Sequence, residues 1–161
     1  MNIFKKKVPS AELAQVVLDE FVENATMNVQ PRRGLLIPDE KEAHFEAKMR
    51  LYRLALVLIA VMNEEQKNPN FLKVKESLEA LVFPETQEEV RLLLLELRSA
   101  MKHLSELLFP PDKAKWMSWS RTWLQDINIQ ETNPITLHLF ALWWMEHYIA
   151  TAKAIRELNP T

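Results

Sequence analysis

The chain has 161 residues, one glycine, no cysteine and a formal net charge of −2. That length is one domain's worth and folds without a disulfide or metal staple. A single glycine excludes Walker-type and dinucleotide-type phosphate loops and argues against hairpin-rich β folds. The lack of cysteine removes thiol nucleophiles, thiolate zinc sites and cysteine-held iron–sulfur clusters. The charge balance leaves no whole-domain footprint for nucleic acid.

In chain order, Lys5-Lys6-Lys7 resembles the start of a signal peptide, but no apolar stretch follows, so residues 1–9 read as a flexible basic N-terminus. A first helix opens at Ser10 after Pro9 and runs to about Asn24, with Leu13, Val17, Leu18 and Phe21 on one face. The connector Ala25 to Pro38 carries Pro31-Arg32-Arg33-Gly34. A second helix is expected from Asp39, with Glu42 completing a capping box, to about Asn63. Its second half, Leu54 to Met62, has no polar face, the mark of a helix buried on all sides.

Asn68 and Pro69 start a third helix with the stripe Phe71, Val74, Leu78, Leu81 and Val82. The fourth starts at Thr86, with Glu89 closing the box, and ends before Pro110. Val90, Leu94, Leu97, Met101, Leu104 and Leu108 form a coiled-coil-like seam, while Leu92, Leu95 and Leu107 widen it. The fourth helix is therefore expected to meet partners on two sides. The fifth begins at Asp112, with Trp116, Trp119, Trp123, Leu124 and Ile127 in helical phase. The sixth begins at Asn133-Pro134 and continues to about Leu158. Neither of the longest apolar runs approaches the ~20 residues of a membrane span.

The expected fold is an all-α, single-domain helical bundle of about six helices over residues 1–161, with the second, fourth and sixth central.

Several side chains bear on function. A di-metal centre in a bundle needs Glu-x-x-His on two helices. The residues three before His44, His103, His138 and His147 are Lys41, Ala100, Ile135 and Trp144, so that signature is missing and no metal or cofactor is expected. Carboxylate pairs such as Glu20/Glu23 and Glu85/Glu88 read as solvated faces. His138, on the most apolar helix, reads as a core histidine.

The segment Arg98-Ser99-Ala100-Met101-Lys102-His103 resembles, over six residues, the Arg-x4-His motif of HEPN-class helical ribonucleases. The resemblance implies His103 as acid–base residue and Arg98 as phosphate-charge stabiliser. Read as residues alone, the same segment is the polar edge of a leucine-rich helix.

The aromatic set Trp116, Trp119, Trp123, Phe140, Trp143, Trp144 and Tyr148 would gather into one cluster if the fifth and sixth helices pack antiparallel. It reads as core, or as a pocket or interface for an apolar ligand or partner. Trp143 and Trp144 are adjacent and point about 100° apart, so both are buried only on an enclosed helix. Arg32 and Arg33 are candidate anion ligands.

The leading functional expectation is a cytoplasmic, non-enzymatic protein acting by protein–protein contact as a homodimer or with another protein, with no nucleic acid and no membrane span. The alternatives are a bundle binding a small apolar ligand in an aromatic pocket and a HEPN-like ribonuclease using Arg98 and His103.

Overall fold

The computed structural model describes residues 7–24, 34–109 and 112–161. Among them the chain forms six α-helices and no strand: α1 (Ser10–Leu18), α2 (Glu42–Glu65), α3 (Asn70–Val82), α4 (Gln87–Leu108), α5 (Lys113–Gln125) and α6 (Pro134–Arg156). α1 runs on into a π-helical turn, Asp19–Glu23, and a 3₁₀ turn, Asp39–Lys41, leads into α2. The helices form the expected bundle. No described helix is long and apolar enough to cross a membrane.

The start signals work where a side chain reaches a free N–H. Thr86 accepts from the Glu89 N–H, Asp112 from Ala114 and Asn133 from Ile135, with Pro134 in the first turn. Asn68 accepts from the Asn70 N–H just before α3. The capping box expected at Asp39 does not form. A 3₁₀ turn occupies Asp39–Lys41 and its backbone supplies the bonding instead.

α5 ends in a Schellman turn. The Ile129 N–H reaches the Leu124 carbonyl while Asn128 sits at φ 57°. In a chain with one glycine, asparagine fills this left-handed position. The glycine itself, Gly34, stands at φ 87°, and a Cβ there would lie 3.3 Å from the Thr136 hydroxyl.

α2 is the hub. Leu54 to Val61 are buried without interruption, and α2 packs on α3, α4 and α6. α4 turns Leu97, Ala100, Leu104, Leu107 and Leu108 inward. Leu92, Leu94 and Leu95 in its first half are exposed. The second side on which α4 was expected to meet a partner is thus open at that end.

The two ends of the described chain meet. Val8 is buried and bridges Pro160. Ser10 donates to the Thr161 carbonyl, and Asn70 donates to that of Pro160. Residues 1–6 of the basic N-terminal stretch lie outside the described residues.

Candidate functional site

Four helices converge on Tyr52 of α2. Its ring meets His103 at 5.9 Å, Trp119 at 6.3 Å, Trp123 at 5.6 Å and Trp144 at 5.8 Å between centroids. Phe45 adds an edge contact to Trp123, and Phe140 touches Trp119, Trp123 and Trp144. Edge-to-face geometry dominates, as the ring quadrupoles favour. The structure therefore brings together Trp119, Trp123, Phe140 and Trp144 from the sequence-derived set. Trp123 and Trp144 are 0% exposed, so this centre is filled by its own side chains.

The other three aromatics stand around it. Trp116 is half-buried against the exposed His138, Trp143 is half-buried and stacked on His147 at 5.0 Å, and Tyr148 meets Phe109. Trp143 and Trp144 resolve as their phase demands, with one sealed in and its neighbour at the margin. His138 is not a core histidine. The first half of α6 is apolar on every side, which hides the inward face from sequence reading, and the buried imidazole is His147.

Phe45 and Tyr52 were absent from the sequence-derived set. Their signal was the stripe Phe45, Met49, Tyr52 and Leu56 on α2, spaced i, i+4, i+7, i+11, all of it buried.

His103 is fixed on both sides. Its Nδ1 lies 2.8 Å from the Tyr52 hydroxyl, and the Trp119 indole N–H donates to its backbone carbonyl at 2.8 Å. Burial, then the positive charge of Lys48, brings its pKa down to about 4. Burial also raises the Tyr52 phenol, so Tyr52 keeps its proton beside the imidazole. Arg98 is exposed and, five residues back on α4, stands about 140° around the helix. The structure does not bring it to His103.

Two clefts flank this pair. One, about 320 Å³, is lined by His44, Lys48, Tyr52, Glu96, Ser99 and Asp126 among others. The other, about 330 Å³, is lined by His103, Glu106, Lys115, Ser118, Trp119 and Thr122. Lys48 donates to the Trp123 carbonyl at 2.7 Å and to Asp126 at 3.1 Å, with its ammonium 4.7 Å from the Trp123 ring centroid. Burial lowers its pKa and the Asp126 partner acts against that shift. Among the described residues no three His, Asp or Glu side chains stand close enough to hold a metal ion.

A second polar group lies deep between α2, α6 and the π-helical turn. His147 hydrogen-bonds the Phe21 backbone, and its Nε2, the Trp144 Nε1 and the Thr151 hydroxyl find no hydrogen-bond partner among the described residues. Burial, then the Arg53 charge, brings the His147 pKa down to about 4. Burial brings the Arg53 pKa down to about 10. Arg32 and Arg33 lie outside the described residues.

The outer face of α6 departs from ordinary patterning. Thr136, Leu137, Phe140, Ala141, Trp144, His147, Thr151 and Ile155 face the core. On the opposite side Ile135 is 70%, Leu139 50% and Ile149 64% exposed. Phe109, beside Tyr148, is 56% exposed. No family model, characterised protein or solved structure matches the chain, so its geometry alone supports a functional reading.

Proposed function

We propose that the protein acts by protein–protein contact, as a homodimer, rather than by catalysis. The observation that supports this is the aliphatic outer face of α6, reinforced by exposed Leu92, Leu94 and Leu95 on α4. Single exposed apolar residues are ordinary. Two helices that each expose branched aliphatics while their other faces fill the core present surface that a partner covers.

The other two readings find less support. The aromatic centre is closed by its own rings. The Nδ1 of the histidine in the Arg-x4-His segment is hydrogen-bonded with Tyr52, and burial keeps the imidazole neutral far below pH 7.

Native mass spectrometry of the purified chain, followed by a denatured spectrum, tests the proposal. A species of twice 18.9 kDa with no further component is the expected result. A monomer at micromolar concentration and above would overturn it.

A further inference from the structure

The outer face of α6 carries two charges among its aliphatic residues, and their placement selects a mode of pairing. At 100° per residue, Ile135, Leu139, Leu142, Glu146, Ile149 and Lys153 fall within an arc of about 80°. Ile135, Leu142 and Ile149 recur every seven residues, with Leu139, Glu146 and Lys153 four beyond each. This is the 3-4 spacing of a helix-pairing seam. Glu146 and Lys153 are both exposed and make no ion pair among the described residues.

We infer that α6 docks antiparallel on α6 of a second copy of this chain, about a two-fold axis passing close to Ile149; this rests on the homodimer reading above. A two-fold rotation carries a residue n positions before the axis to the level of the residue n positions after it. Glu146 stands three before Ile149 and Lys153 four after, so the two come level to within one residue, about 1.5 Å. Each copy's Glu146 thus meets the other's Lys153, and Ile149 meets Ile149; the two helices overlap from Leu142 to Arg156, and Ile135 and Leu139 lie beyond the end of the partner's α6.

Parallel pairing fails on the same residues. It sets Glu146 against Glu146 and Lys153 against Lys153, and like charges face to face are unfavourable in such a seam. The antiparallel arrangement also opposes the two helix dipoles.

The test is charge reversal on the full-length protein, with dissociation followed by analytical ultracentrifugation and folding by circular dichroism. E146K and K153E are each expected to weaken the dimer at least about tenfold without altering the helical spectrum. Combining them restores the pair with its signs exchanged and is expected to return the dissociation constant to within about threefold of the starting protein. Ile149→Asp, at the two-fold axis, should dissociate the dimer in any charge background. A wild-type dimer indifferent to all these changes would overturn the α6 pairing and leave the homodimer reading standing. Single variants that weaken it with no rescue in the double would overturn the Glu146–Lys153 contact. A wild-type monomer would overturn both readings.

Discussion

Tyr52 shows how much one side chain can be asked to do. Its ring touches four aromatic neighbours from three other helices, and its hydroxyl satisfies the one imidazole nitrogen that faces it. Tyr52→Phe keeps the rings and removes the hydroxyl, leaving His103 Nδ1 without that hydrogen bond. A loss of about 1–2 kcal/mol in urea unfolding is expected. Trp144→Ala, which empties a fully buried site between Tyr52, Trp123 and Phe140, should cost about 3–5 kcal/mol. The sequence disclosed Trp144 and its partners on α5 and α6 because adjacent tryptophans at helical spacing are conspicuous. The stripe on α2 marks Tyr52 as buried, but it gives no sign of which rings will pack on it.

Helix boundaries were the most legible feature, and their chemistry explains why. Thr86, Asp112 and Asn133 act through contacts to N–H groups two or three residues away, information that is entirely local. The stop of α5 is equally local but carried by an uncommon residue for the task. Asn128→Gly should stabilise the fold by about 0.5–1 kcal/mol, and Asn128→Ala should destabilise it by about as much, in thermal or urea unfolding. What local pattern could not give was the rotational phase of α6. With Ile135, Leu137, Leu139, Phe140 and Leu142 all apolar, several inward faces were open, and only the packing of Ser120 and the α5 rings chose one. Ser120 donates to the Leu137 carbonyl at 2.6 Å in a fully buried contact. The ring pairs of α5 and α6 then advance in the same sense along both helices, Trp116 on His138, Trp119 on Phe140 and Trp123 on Phe140 and Trp144.

For the whole molecule, His147, which is buried, and His103, which is half-buried, lower stability toward acid pH. Both have pKa values brought down to about 4 in the fold, against about 6.5 in the unfolded chain. Between those values the unfolded chain binds protons that the folded one refuses. Stability from this source is complete above pH 6.5, falls as pH drops through the window and levels off below pH 4. Melting temperature is expected to fall by roughly 5–10 °C between pH 7 and pH 5 in differential scanning calorimetry, after allowance for partial solvent screening. A double His103→Asn, His147→Asn variant should flatten that slope even though it is less stable at pH 7. The bundle class followed from composition and periodicity, because helices with one wet and one dry face pack in few ways. The convergence of α2, α4, α5 and α6 on one ring did not follow, because it depends on contacts across 51 positions for Tyr52 and His103 and 75 for Lys48 and Trp123.

Each of these histidines also lies against an indole. The rings of His103 and Trp119 are 4.6 Å apart, and those of His147 and Trp143 are 5.0 Å apart and nearly parallel. An imidazolium that close accepts an electron from an excited indole, whereas neutral imidazole does so poorly. Two of the five fluorophores therefore carry a built-in quencher that stays silent while the bundle holds its histidines uncharged. Acidification should leave the emission of Trp119 and Trp143 bright through the range in which a solvent-exposed His–Trp pair would already have dimmed.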